Sequence, residues 1–203
     1  MFGYLGPYKQ ENFFVNVTTV THRRDPWIVN MYTGMQRGMV TAPQDALSDY
    51  FIRRGVPNLK ESYQPQDVMG IYIISIDKNG PGQGLKAGHA VADRNPIAKV
   101  VIVVDKDIDV MDRTQIMFAI GSRWQPSPAT EILQDLRGVV TDPSQPVQGR
   151  TSKIIIDATM QWPEEGGREK FPATNRALLE KDVPAVFAEV DRLYGTTLKN
   201  WGR

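Results

Sequence analysis

The sequence predicts an α/β fold with three layers, α/β/α, in which helices cover both faces of a mixed sheet. Residues 100–104, VVIVV, form a continuous β-branched run, which is typical of a strand buried on both faces. A helix is predicted next, because Ile116, Met117 and Ile120 recur at helical spacing and Asp112 can cap its first turn. Four or more predicted strands alternate with three or four predicted helices, and this alternation indicates an α/β layer architecture.

The first part of the chain contains a predicted hairpin and a predicted helix. Residues 13–21 and 27–32 are β-rich runs joined by a turn at Pro26, and their antiparallel pairing is what makes the predicted sheet mixed. A helix is predicted over residues 41–54, with Gly55 in the C′ position. Its predicted apolar face comprises Leu47, Tyr50 and Phe51.

Four further elements are predicted downstream. Residues 68–76 and 152–158 are apolar runs that favour buried strands. Residues 130–136, TEILQDL, fit a strand or a short helix, and periodicity leaves both open. A terminal helix is predicted from its cap Asp182 to Gly195. Its predicted apolar stripe comprises Val186, Phe187, Val190, Leu193 and Tyr194.

Residues 77–88, DKNGPGQGLKAG, hold four of the seventeen glycines. Composition favours a flexible connector. The alternative is a loop that approaches a phosphate group, since glycines permit close backbone contact and Lys86 supplies a positive charge. The spacing matches neither the P-loop nor the dinucleotide-binding fingerprint, so the segment alone does not decide between the two.

Composition limits the classes of protein to which the chain can belong. Apolar residues make up 41% and charged residues 23% of the 203 residues, which suits one globular domain with room for an appendage. The net charge of +1 favours neither nucleic acid nor a membrane surface as a partner. The absence of cysteine excludes disulfides and zinc–thiolate sites. Because no apolar run could span a bilayer and no secretory signal is present, we expect a cytoplasmic protein.

The two histidines and a cluster of acids are the first candidates for chemistry. His22 lies in a basic turn and is expected to be solvated, whereas His89, close to Lys86, is the better candidate. The acids within residues 105–112 could bind calcium or magnesium. We expect a structural turn there instead, because apolar residues interleave with the acids.

Other charged residues have simpler interpretations. Glu61, Glu164 and Glu165 are expected to be solvated in loops. Arg123 ends the helix that follows the central strand, where a cation stabilises the helix dipole. No nucleophile elbow is present.

Four blocks of the sequence together resemble the UbiD family of prenylated-flavin-dependent (de)carboxylases. Residues 100–126, VVIVVDKDIDVMDRTQIMFAIGSRWQP, resemble the family's strand, acidic segment and helix. Residues 85–89, LKAGH, resemble its K-x-G-[HY] element, and residues 142–163, DPSQPVQGRTSKIIIDATMQWP, resemble a third block. Residues 2–27, FGYLGPYKQENFFVNVTTVTHRRDPW, resemble the segment that leads into the C-terminal domain of the family.

The resemblance implies that this chain is only the C-terminal portion of a UbiD-type enzyme. Residues 1–30 then form a hairpin leading in from a missing N-terminal region, and residues 31–203 form a UbiD-like C-terminal α/β domain. The missing region is expected to bind prenylated FMN, Mn²⁺ and K⁺ and to carry the Glu–Arg–Glu catalytic set, so we assign no catalytic or metal-binding residue to this chain. Lys86 matches the family lysine that reaches the flavin phosphate. His89 matches a histidine or tyrosine near the active site, and we assign it to cofactor binding with Lys86.

Two functional hypotheses follow from the resemblance. In the first, the chain is the C-terminal domain of a decarboxylase that acts on an aromatic or α,β-unsaturated acid, is inactive alone and forms a homo-oligomer. In the second, it is a non-catalytic subunit or assembly domain that completes a separately encoded flavin-binding partner. A third alternative, based on the acids rather than on the family, is a metal-binding module within residues 105–112.

Overall fold

A five-stranded mixed sheet organises the first part of the chain in the computed structural model, which describes residues 14–27, 42–65 and 67–200. The strand order is β1-β2-β3-β5-β4, so that β3 is the central strand. Strands β2, β3 and β5 are parallel, and the edge strands β1 and β4 are antiparallel to their neighbours. The strands are β1 Leu59–Tyr63, β2 Ile71–Ile76, β3 Val100–Asp105, β4 Thr130–Arg137 and β5 Arg150–Ala158.

Helices cover both faces of this sheet, which confirms the predicted three-layer α/β class. The helices of this unit are α1 Ala42–Gly55, α2 Gln83–Arg94 and α3 Arg113–Ser122. One face packs against α1 and α2, with a core that includes Ile52, Ile74, Ile76, Val91, Val101, Val103 and Ile155. The opposite face packs against α3, with a core that includes Ile73, Ile102, Val104, Ile116, Ala119 and Ala158. The central β-branched run is therefore buried on both sides, as predicted.

Helix α2 occupies most of the stretch for which composition favoured a flexible connector. Only residues 77–82 form a loop, and the helix begins at Gln83. The connector prediction is wrong from there on, because two of the glycines serve helix packing rather than flexibility. A Cβ at Gly84 would lie 2.0 Å from Oδ2 of Asp157, and one at Gly88 would lie 2.2 Å from Cγ2 of Ile155. Glycine thus allows α2 to approach β5 closely.

The predicted hairpin at the start of the chain is not found in the part that the structure describes. Residues 14–27 contain no strand, and Phe14, Val15 and Trp27 are at least 84% exposed. The alternating pattern is present, but without a neighbouring strand it cannot form a sheet. Most of the returning strand, residues 28–32, and the proposed domain boundary after residue 30 lie outside the described residues.

Three other predictions need adjustment. The strand predicted over residues 68–76 begins only at Ile71, because Gly70 adopts a φ of 90° and turns the chain. Residues 130–136 belong to strand β4, which resolves that ambiguity. The predicted helix over residues 41–54 is confirmed as α1, but its predicted apolar face is wrong. Ile52 faces the core, whereas Leu47, Tyr50 and Phe51 are exposed.

A second compact unit, Arg168–Arg203, contains two helices. These are α4 Asn175–Asp182, capped by the hydroxyl of Thr174, and α5 Pro184–Asn200. The terminal helix continues past Gly195, contrary to the prediction, and Asp182 ends α4 instead of capping α5. Apolar side chains of this unit are exposed, among them Leu178, Leu179, Val186, Val190, Leu193 and Tyr194. Among the described helices, none is both long enough and apolar enough to cross a membrane.

Candidate functional site at the carboxyl edge of the sheet

Three loops meet where the parallel strands β2, β3 and β5 end. They comprise residues 77–82, 106–112 and 159–167. The carboxyl edge of a parallel sheet is where α/β proteins usually bind ligands. Charged side chains from all three loops form hydrogen bonds across this edge.

Lys78 and Glu165 form a buried ion pair that joins the first and third loops. The side chain of Lys78 is 3% exposed and that of Glu165 is 9% exposed, and Nζ lies 2.6 Å from Oε2. Nζ also donates to Oγ1 of Thr159 at 2.9 Å and to the carbonyl oxygen of Met160 at 3.1 Å. All three donors of the ammonium therefore have an acceptor.

The carboxylate of Glu165 also holds the turn that starts α2. Its Oε1 accepts from the backbone N–H of Gly82 at 2.7 Å, and its Oε2 accepts from that of Trp162 at 2.7 Å. Gly82 has a φ of 72°, which favours glycine. Burial alone raises the pKa of Glu165, but Lys78 and the two amides outweigh it, and the pKa lies below its ordinary value. The prediction that Glu165 is solvated is wrong, and its distance in sequence from Lys78 hides the pair.

Arg123 binds the acid that ends β3 and one acid of the second loop. Its guanidinium donates to Oδ2 of Asp105 at 2.9 Å and to both oxygens of Asp107 at 2.8 and 2.6 Å. Burial raises the pKa of Asp105, whereas the hydrogen bond from Arg123 lowers the pKa of the more exposed Asp107. Arg123 thus does more than stabilise a helix dipole, because it ties α3 to the end of β3.

The other acids of this loop serve the backbone. Asp109 accepts from the N–H of Met111, and Asp112 caps α3 by accepting from the N–H groups of Thr114 and Gln115, as predicted. Within the described residues, no group of three or more histidines and acids is arranged to hold a metal ion.

Lys86 lies in the first turn of α2, close to the carboxyl edge. Its side chain is exposed, and its backbone N–H donates to the carbonyl oxygen of Gly82 at 3.2 Å. A cavity of about 410 Å³ opens at the start of α2, lined by Gly82 in the preceding loop, by Leu85 and by Asp157 among others. Lys86 is not one of the residues that line this cavity. Its exposed ammonium can nevertheless serve a phosphate group as a point-charge partner.

His89 follows Lys86 by three residues, so both side chains project from one side of α2. Nε2 of His89 lies 2.8 Å from Oε2 of Glu131 on β4, and both side chains are about 40% exposed (38% and 44%). The sequence offered no sign of this partner. His22 is exposed, and its Nδ1 lies 2.6 Å from the carbonyl oxygen of Arg23.

One family model matches residues 38–158, which are more than half of the chain. That model is described as the C-terminal domain of 3-octaprenyl-4-hydroxybenzoate carboxy-lyase, UbiD. The matched region includes every strand of the sheet and helices α1 to α3.

Solved structures of UbiD-class enzymes share this fold. The enzyme HmfF from Pelotomaculum thermopropionicum, in complex with FMN, is 28% identical with a TM-score of 0.56 over 65% of this chain and 30% of that chain. Vanillic acid decarboxylase of Sedimentibacter hydroxybenzoicus is 25% identical with a TM-score of 0.55 over 69% and 31%. 3,4-Dihydroxybenzoic acid decarboxylase of Klebsiella pneumoniae is 25% identical with a TM-score of 0.53 over 66% and 30%. The chain therefore spans about 30% of the length of these relatives.

Proposed function

This chain belongs to the UbiD family, through the C-terminal domain of its carboxy-lyases, and we propose that it completes a decarboxylase that uses prenylated FMN. The substrate we propose is an aromatic or α,β-unsaturated carboxylic acid. Similarity to enzymes that decarboxylate vanillic and dihydroxybenzoic acids supports this choice. The chain matches about 30% of those enzymes, so we propose that other parts of the assembled enzyme supply the catalytic acids.

The position of Lys86 carries this proposal. A long cationic side chain is exposed in the first turn of a helix that begins at the carboxyl edge of a parallel sheet. An ammonium there can donate to a phosphate oxygen without rearranging the loop behind it. We assign Lys86 to the flavin phosphate, with His89 as the second cofactor contact on the same side of α2.

Hydrogen bonds among other residues of the edge hold the two loops behind this contact. Lys78 and Glu165 fix the turn before α2, and Arg123 fixes the loop after β3. The flavin, when bound, supplies the electron sink that decarboxylation requires. The chain itself holds the phosphate and forms one wall of the cleft. We place the sites for Mn²⁺ and K⁺ outside this chain and the protein in the cytoplasm, where its lack of cysteine suits reducing conditions.

The second candidate function is a non-catalytic subunit that completes a separately encoded flavin-binding chain. The chain matches about 30% of the length of the solved enzymes. This short match is as consistent with a separate subunit as it is with a domain of one long chain. In either case we propose self-association, supported by the exposed apolar side chains of α5.

A complementation experiment tests the proposal. We expect the 203-residue chain with prenylated FMN to release no CO2 from aromatic acids, and to gain activity when a flavin-binding region of the family is added. Activity of the chain alone contradicts the assignment of the catalytic acids to another region. Co-purification with a separate flavin-binding protein from the native source selects the subunit alternative.

Light scattering on the same samples gives the mass, and a monomeric mass rules out self-association.

A further inference from the structure

Glu131 is the partner of His89, and the packing of the backbone fixes their contact. Gly88 lies against Ile155, where a Cβ on the glycine would be 2.2 Å from Cγ2. Ile155 on β5 pairs directly with Glu131 on β4. His89, the residue after Gly88, is therefore held over Glu131, which is the neighbour of Ile155 in the sheet.

This contact determines which ring nitrogen of His89 carries a proton. The carboxylate of Glu131 can only accept hydrogen bonds, so the Nε2 atom at 2.8 Å must donate. In the neutral ring the proton is then on Nε2, and Nδ1 is the nitrogen with a free lone pair. Within the described part of the chain, no hydrogen bond of Nδ1 has been found. Nδ1 is consequently the atom that His89 offers to a ligand.

We propose that Glu131 is a positioning residue that fixes the His89 ring and presents Nδ1, beside Lys86, to a phosphate monoester. This inference rests on the proposed function, because it places the flavin phosphate on this side of α2. In this contact, a single proton forms the hydrogen bond between Nδ1 and a phosphate oxygen. It comes from the phosphate monoanion or from solvent, since the second phosphate pKa of about 6 is close to that of imidazole. When the ring carries both protons, the charge of Glu131 offsets that of the imidazolium.

The chain offers a direct measurement, because it contains only two histidines. Long-range proton–nitrogen NMR spectra of the ¹⁵N-histidine-labelled chain, at a pH about two units above the ordinary imidazole value of 6.5, report the tautomer of each ring. We expect His89 to carry its proton on Nε2. The Glu131→Val variant should show a mixture of both tautomers, whereas Glu131→Gln, whose carbonyl oxygen still accepts, should keep the proton on Nε2. Glu61→Val makes the same replacement on the opposite edge strand and should match the unmodified chain.

Titration with inorganic phosphate, with chloride as the ionic-strength control, then tests the role of the ring. We expect phosphate to shift the His89 resonances and not those of His22. The apparent phosphate affinity should fall at least about threefold in both Glu131 variants, because each removes the carboxylate that stabilises the doubly protonated ring, which donates from Nδ1 to the phosphate. It should fall at least about tenfold in Lys86→Met.

Each failure has a separate meaning. Three results would each overturn the inference. The first is a proton on Nδ1 of His89, and the second is the absence of any response of the His89 resonances to phosphate. The third is that the Glu131 variants match Glu61→Val in both tautomer and phosphate affinity. If Glu131→Val changes the tautomer but Lys86→Met leaves phosphate affinity intact, the positioning by Glu131 stands and the proposed phosphate contact of Lys86 fails. If only Lys86→Met weakens phosphate binding, the proposed function stands and the role of Glu131 fails.

Discussion

Lys78 is the residue on which the carboxyl edge depends most. Its buried ammonium binds groups from the loop after β5, and its partner Glu165 holds the turn that starts α2. A buried charge is stable only when it is paired and hydrogen-bonded, and both members of this pair meet that condition. Lys86, by contrast, is exposed. The two lysines are eight residues apart, yet one stabilises the scaffold and the other is available for binding.

We predict that Lys78→Met lowers the free energy of unfolding by about 3–5 kcal/mol, because it leaves the carboxylate of Glu165 buried without its cation. The urea unfolding midpoint of the purified chain measures this loss. Lys106→Met is the matched control, since Lys106 is 60% exposed and its partner Asp77 also binds Lys60. Its midpoint should stay close to that of the unmodified chain. Equal midpoints for the two variants would show that the buried pair contributes no more than a surface pair.

At the scale of the element, α2 determines where both proposed ligand contacts lie. Its glycines bring the helix close to β5, and this packing leaves the side chain of Lys86 exposed and that of His89 in contact with Glu131. Gly84 and Gly88 are four residues apart and therefore face the sheet together. The low helix propensity of glycine is the cost of this approach.

We predict that Gly88→Ala destabilises the chain by about 1–3 kcal/mol, because the added methyl group overlaps Ile155 and forces α2 outward. Gly121→Ala is the control in α3, where nothing lies within 4 Å of the new Cβ. That variant should be neutral or slightly more stable, since alanine favours helix. Thermal unfolding of both variants by circular dichroism makes the comparison. A Gly88→Ala variant as stable as the Gly121→Ala variant would mean that close packing of α2 is not required.

How far the sequence predicts these elements depends on where their partners lie. The central strand and the Asp112 cap depend on adjacent residues, and both are confirmed. Strand β1, LKESY, was missed because only Leu59 is buried and the rest of this edge strand is polar or half-exposed. The sequence does not predict helix α2, because its glycines serve contacts with β5, about 70 residues away. The Lys78–Glu165 and His89–Glu131 pairs have no local signal for the same reason.

At the scale of the whole molecule, the proposed function makes the chain one part of a larger catalytic assembly. It covers about 30% of the solved UbiD-class enzymes, and its matched region holds the sheet and the three helices around it. Among the described residues, charged side chains at its carboxyl edge form ion pairs and a helix cap. The role that we propose for it is flavin-phosphate binding and assembly, with the chemistry completed by the flavin and by residues of the remaining region.

The affinity of the assembled enzyme for two flavins tests the role of Lys86 most directly. FMN carries the phosphate and riboflavin lacks it, so the comparison isolates the contact that we assign to Lys86. We predict that Lys86→Met weakens FMN binding at least about tenfold, or about 1.4 kcal/mol, and leaves riboflavin binding unchanged. Fluorescence titration of FMN and of riboflavin against the unmodified and the Lys86→Met enzymes gives these affinities. Unchanged FMN affinity, or an equal loss for riboflavin, would contradict the assignment of Lys86 to the flavin phosphate.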